Sequence, residues 1–182
     1  MSFLENLRMK QAYRILEKRR KRHRVAHRSV AFREAAEIAL LFKADSMEDV
    51  LRAKEFFSYL KEQGKKVSVL GFTAASNETG FKTKSVFFDY FSEKDLDPFF
   101  IPKPGKIADF MKTPFDILIS FCVTDCFPLC YIAALSRATF RVGVYSSRQV
   151  DDFDLMINLK EDRNIDNFAL QLKQYLSLPA SA

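Results

Sequence analysis

The run FDILISFC, residues 115–122, restricts the fold of this chain more than any other segment. Apolar side chains occupy most of its positions and do not alternate with polar ones. A strand of this kind must be covered on both faces, as strands are in the parallel sheets of α/β proteins. We therefore predict a buried central strand with helices packed on both faces of its sheet.

Strand-like and helix-like segments alternate along the rest of the chain. Further strands are predicted at residues 36–44, 66–72, 140–145 and 153–159, with a short strand near 99–101. Helices are predicted at 45–64, 105–113, 127–138 and 164–178, the first with Ser46 as its N-cap. This alternation predicts βαβ units with right-handed crossovers. The fold class is thus α/β, a three-layer α/β/α sandwich with a mostly parallel, Rossmann-like sheet.

The first 28 residues differ in charge from the remainder of the 182-residue chain. They hold ten Lys or Arg residues and two acidic residues, a net charge of +8, whereas residues 29–182 hold 19 and 21, a net charge of −2. No Gly or Pro occurs from Phe3 to Arg24, so we predict one long helix there, exposed over much of its length. We expect a basic helical arm, residues 1–28, that contributes little apolar surface to a single α/β domain, residues 29–182.

The charge of this arm predicts a polyanionic partner. Lys and Arg side chains neutralise phosphates and release counterions, which gives binding that does not depend on base sequence. We expect RNA or a ribonucleoprotein as the partner. The candidate nucleic-acid-binding residues are Lys18, Arg19, Arg20, Lys21, Arg22, Arg24 and Arg28. Residues 17–28 contain no aromatic side chain, which favours contact with the backbone of a duplex or folded RNA over base stacking.

Two other interpretations of the arm stay open. Runs of charge are commonly no more than a solvated helix face. Alternatively, a basic helix with an apolar face can lie on an anionic membrane surface. That apolar face would consist of Phe3, Leu4, Leu7 and Met9. Because it is short, we rank the membrane below nucleic acid.

A second candidate site follows from the predicted sheet. Ligands of open parallel sheets bind outside the carboxyl ends of the strands. The loops at those ends carry the alternative ligand-binding residues Asp45, Ser46, Thr124 and Asp125. These residue types are also common helix N-caps. Neither a GxGxxG nor a GxxxxGK[ST] motif occurs, so the sequence does not predict a Gly-rich phosphate loop.

The chain shows no recognisable catalytic or metal-binding set. Cys122, Cys126 and Cys130 are spaced four apart, and the only two His residues, His23 and His27, lie in the basic arm. We predict buried thiols without a metal, no catalytic residues and no cofactor. No segment is apolar and long enough to span a membrane, and no signal peptide is evident. We therefore expect a non-catalytic binding protein of the cytoplasm, of unknown oligomeric state.

Several segments resemble known families. The chain is similar to an uncharacterised family of short α/β proteins from Bacteroidota over roughly residues 30–178. The resemblance is carried, in order, by the runs LLFKADSMEDV, KKVSVLGF, FDILIS, PLCYIAALSRATFRVG and FDLMINL. In that family the central strand tends to carry an Asp where this chain has Ser120. The segment from FDILIS to ALSRATFRVG also resembles, more distantly, the N-terminal domain of heptosyltransferase-like glycosyltransferases. That resemblance implies an alternative function, the binding of a nucleotide or sugar phosphate at the loops after the strands.

Overall fold

The computed structural model describes residues 3–23, 25–73, 87–160 and 162–177. Its helices are α1 (Phe3–Arg20), α2 (Met47–Glu62), α3 (Lys106–Lys112), α4 (Phe127–Ala134) and α5 (Ile165–Ser177). Its strands are β1 (Glu37–Lys43), β2 (Lys66–Thr73), β3 (Phe88–Ser92), β4 (Ile117–Phe121), β5 (Phe140–Val144) and β6 (Leu155–Ile157).

The six strands form one parallel sheet in the order β3-β2-β1-β4-β5-β6. All five residues of β4 are buried, and the strand lies beside β1 with Leu40 opposite Ile119. The predicted α/β fold with a buried central strand is therefore confirmed. The order of the strands reverses between β1 and β4, and ligands of such sheets commonly bind at this reversal.

Helices cover both faces of the sheet because neighbouring strand residues point to opposite sides. On one face, Leu40 and Ile119 pack with Phe56 of α2 and Phe168 of α5. On the other face, the core contains residues of β1, β4, α3 and α4, among them Leu41, Leu118, Ile107 and Leu129. The predicted N-cap of α2 is also confirmed, since Ser46 and Asp49 form a reciprocal capping box.

Helix α1 packs against α4 outside the second face. Ala12 and Leu16, one helical turn apart, are 0% and 3% exposed. They share a third apolar cluster with Phe127 and Tyr131 of α4, and the ring of Tyr13 meets Phe127 edge-on with centroids 5.0 Å apart. The expectation that residues 1–28 contribute little apolar surface is therefore wrong for this face. The division into an arm and a domain at residue 28 stays a prediction.

Several predicted elements differ from the structure in their bounds or position. The strand expected near residues 99–101 is absent from that described segment, and β3 (Phe88–Ser92) pairs with β2 instead. Residues 99–101 form a turn in which the Asp97 carboxylate accepts the backbone N–H groups of Phe99 and Ile101. The first helix ends at Arg20 rather than Arg24. The polar run AASNETGFKTK, residues 74–84, lies outside the described residues.

Candidate functional site

An open groove lies where the end of α1 meets α3 and the connection from α4 to β5. Its volume is about 540 Å³. The lining residues are Arg19, Arg22, His23, Val25, Ala108, Met111, Lys112, Leu135 and Arg137. We call this concavity the basic groove.

The topology of the parallel sheet places these segments together. Each connecting helix returns from the carboxyl ends to the amino ends of the strands, so α3 and α4 finish at the amino ends of β4 and β5. There the Arg137 N–H donates to the carbonyl of Met111 at 2.9 Å. The Ser136 carbonyl accepts a hydrogen bond from Nε2 of His23 at 2.8 Å. The basic groove therefore lies at the amino ends of the strands, whereas α/β proteins commonly bind ligands at the carboxyl ends.

Four permanent cations line the basic groove, and none of its lining residues is acidic. They are Arg19, Arg22, Lys112 and Arg137. Lys112 approaches Asp109 of its own helix at 3.9 Å, with both side chains more than 70% exposed, so this pair is weak. Within the described residues, no ion pair is found for the other three. Cations gathered in a concave surface without carboxylates create a positive potential that attracts anions.

Arg19 is held in place by α4. Its guanidinium donates a hydrogen bond to the hydroxyl of Tyr131 and lies over that ring, 5.6 Å from its centroid. This contact fixes the side chain without neutralising its charge. Lys112 and Arg19 also lie in the last turns of their helices, where cations interact favourably with the helix dipole. The helix dipole is enough to explain why each helix ends in a cation. It does not explain why the ends of α1 and α3 lie side by side.

The structure separates the predicted nucleic-acid-binding residues. Arg19 and Arg22 line the basic groove, while Lys18, Lys21 and Arg28 are exposed beyond it. Arg20 points to the body of the protein, where it pairs with Asp151 and Asp152 at 2.9 Å each. Arg24 lies outside the described residues. The charge that faces solvent at the end of α1 is therefore smaller than a count of the sequence implies.

Sequence reasoning missed two of the groove's cations, Lys112 and Arg137. Each is an isolated basic residue beside a helix end, and no spacing relates either one to the run at 18–24. They approach Arg22 only because the crossover helices α3 and α4 both finish at the amino ends of the strands. The apolar residues Met111 and Leu135 enter the groove for the same reason.

The alternative ligand-binding residues lie at the carboxyl ends of β1 and β4. Asp45 and Thr124 line one cleft of about 90 Å³, and Asp45 pairs there with Lys43 at 2.5 Å. Ser46 does not line this cleft, and its hydroxyl accepts the N–H of Asp49 at 3.1 Å. Ligand pockets usually measure about 300–1,000 Å³. The cleft is too small to enclose a nucleotide.

The charge of this cleft also opposes an anionic ligand. Asp45 precedes α2, and Glu48 and Asp49 occupy its first turn, where carboxylates already satisfy the helix dipole. Asp125 lines a separate space of only about 10 Å³ that also contains Thr124. The four alternative residues therefore do not converge on one cavity.

The three cysteines surround that small space and are free thiols. Cys126 and Cys130 are each 6% exposed. Burial raises the pKa of all three thiols, that of Cys126 to about 12, so they are protonated at neutral pH. Among the described residues, no three His, Cys, Asp or Glu side chains are grouped to hold a metal ion.

The sequence pattern of a family of unknown function, DUF6913, matches residues 8–178, and the chain belongs to that family. The match includes most of α1 as well as every strand of the sheet. No curated protein and no solved structure matches the chain. An origin in Bacteroidota and a relation to heptosyltransferases stay predictions. None of the described helices has the length and apolar character needed to cross a membrane.

Proposed function

We propose that this protein is a non-catalytic, cytoplasmic binding protein for RNA or a ribonucleoprotein, and that the basic groove is the centre of its RNA-binding surface. The observation that carries the proposal is the convergence of Arg19, Arg22, Lys112 and Arg137 on a concavity without a carboxylate. Like charges gathered in this way repel one another, and bound phosphates would offset that repulsion.

The surroundings of the groove support a polyanion over a small anion. Lys18 and Lys21 are exposed on the same helix end and extend the positive surface beyond the groove. Apart from residues 1–28, the chain has a net charge of −2. The positive surface is therefore local, which favours one orientation of a bound RNA.

Binding to a labelled hairpin RNA, measured by fluorescence anisotropy at several salt concentrations, tests the proposal. If about five cations contact phosphates, log K should fall against log salt with a slope of roughly −4. A slope near zero, or no binding at low salt, would contradict the proposal.

Charge-reversal variants test the location of the site. Arg22→Glu and Arg137→Glu should each weaken hairpin binding about tenfold at low salt, since each removes a charge-assisted contact. Lys61→Glu is the matched control, because Lys61 is an exposed cation in the last turn of α2, on the other face of the sheet. Equal losses for all three variants would show dependence on net charge alone and would exclude the groove as the site.

One observation favours the alternative function, the binding of a nucleotide or sugar phosphate. The strand order places the cleft of Asp45 and Thr124 at the reversal between β1 and β4. The small volume and the carboxylates weigh against it. We expect a nucleoside diphosphate at millimolar concentration to leave the melting temperature unchanged, whereas a ligand that binds the folded state would raise it.

A further inference from the structure

The apolar residues that line the basic groove are more buried than its four cations, so we call the apolar residues its floor and the cations its rim. Val25, Ala108, Met111 and Leu135 supply this floor. Leu135 is 8% exposed, and Met111 packs against the clusters on both sides of α4. The floor is therefore fixed by the core and is present before any ligand binds.

Phosphate contacts alone do not require such a floor. The backbone of a duplex presents charged and polar groups to a protein and would leave the apolar side chains of a concave surface in contact with water. An unpaired nucleotide differs, since its base has apolar faces and its flanking phosphates are anionic. The combination of an apolar floor and a cationic rim is complementary to both parts.

We propose that the basic groove receives one unpaired nucleotide of the bound RNA. The base lies on the floor in contact with Ala108, Met111 and Leu135, and the adjoining phosphates contact Arg22 and Arg137 at the rim. The volume of about 540 Å³ falls within the range of pockets that hold small ligands. This inference rests on the proposed function, and it changes the expected partner from a continuous duplex to an RNA with a bulged or looped-out base.

The energetic cost of this mode is low for such an RNA. An unpaired base has already lost its pairing, so placing it in a pocket costs less than extracting a paired one. Exposed guanidinium planes can also stack on a base, and both Arg22 and Arg137 are exposed. Arg19 is different, because its guanidinium already lies over Tyr131.

Two hairpin RNAs that differ only by one unpaired adenosine in the stem test the inference. We expect the bulged hairpin to bind about tenfold more tightly than the fully paired one at the same salt concentration. With 2-aminopurine as the unpaired base, binding should change its fluorescence, because the base moves from the RNA stack to the apolar floor.

An Ala108→Phe variant separates the floor from the rim. Ala108 is half-buried on α3, and a phenyl group there would fill the floor while leaving all four cations in place. The variant should bind both hairpins with the affinity that the wild type has for the paired one. Ala108→Ser, which leaves the space open, is the matched control and should keep the preference. If circular dichroism shows that Ala108→Phe is unfolded, Ala108→Leu replaces it.

The outcomes distinguish this inference from the proposed function. Equal, salt-dependent binding of the two hairpins by the wild type would overturn the inference and leave RNA binding intact. Absence of binding to either hairpin would overturn both. A preference for the bulge that persists in a folded Ala108→Phe variant would also overturn the inference, because the base would then lie elsewhere.

Discussion

Arg20 and Asp152 join the end of α1 to the segment between β5 and β6. Nη1 of Arg20 lies 2.9 Å from Oδ1 of Asp152, whose side chain is only 2% exposed. Burial raises the pKa of Asp152, and the hydrogen bond from Arg20 opposes that shift. Arg20 therefore offsets the free-energy cost of burying the Asp152 carboxylate.

Loss of Arg20 should destabilise the protein. We expect Arg20→Met to lower the free energy of unfolding by about 2 kcal/mol, less than for a fully buried pair because Arg20 is 26% exposed. Asp151 also pairs with Arg20 but is 73% exposed, so Asp151→Asn should cost less than about 1 kcal/mol. Urea denaturation monitored by circular dichroism measures both. Equal stability of Arg20→Met and the wild type would show that Asp152 does not need this partner.

The packing of α1 can be tested by the same substitution at two positions of the helix. Leu16 is 3% exposed against α4, whereas Leu7 is 58% exposed. Leu16→Ala should cost about 2–3 kcal/mol through lost burial and a residual cavity, and Leu7→Ala should change the stability by less than about 0.5 kcal/mol. Similar values for the two variants in thermal or urea unfolding would mean that α1 does not contribute to the core.

Stability should fall on acidification in a way that depends on His27. Burial lowers the pKa of His27 below its ordinary value of 6.5, with a further lowering by Arg141 and an opposing effect of Asp154 at 3.4 Å. Because the folded state prefers the neutral ring, the contribution of His27 is complete above pH 6.5 and is lost as the pH falls below that value. His27→Gln should therefore show a smaller decrease in melting temperature between about pH 7 and pH 5.5 than the wild type. An identical decrease in melting temperature in both proteins would show that groups other than His27 cause it.

The thiols should react slowly in the folded protein. A thiolate is the reactive form, and burial raises the pKa of Cys122, Cys126 and Cys130. We expect Ellman's reagent at neutral pH to modify Cys122 first, because it is the least buried of the three, and to reach the others only after unfolding in guanidinium. Rapid modification of all three in the native state would contradict the buried arrangement.

The sequence predicts more of the sheet than of the protein surface. The burial of β4 follows from its own composition, and the capping of α2 by Ser46 follows from a spacing of three residues, so both depend on neighbours in sequence. Strand β3 was misplaced because several Phe residues lie on either side of 93–95, and only pairing with β2 decides which of them form a strand. The core face of α1 was missed because Ala12 and Leu16 are a weak apolar signal in a charged helix.

The candidate site divides in the same way. Arg19 and Arg22 could be proposed from the local density of charge. Lys112 and Arg137 could not, because their proximity to the end of α1 depends on where two crossover helices finish. The role of Arg20 likewise depends on a carboxylate far along the chain, which no local pattern indicates.

The docking of α1 on α4 has a consequence for synthesis on the ribosome. Arg19 and its partner Tyr131 are 112 residues apart, so at about 5–20 residues per second α1 emerges roughly 6–22 s before the surface of α4 on which it packs. Its high charge, with eight charged residues among 18, suits a segment that must wait in water without aggregating. During that interval its cations are presented beside the nascent chain's own translation machinery, before the groove to which they will belong has been made.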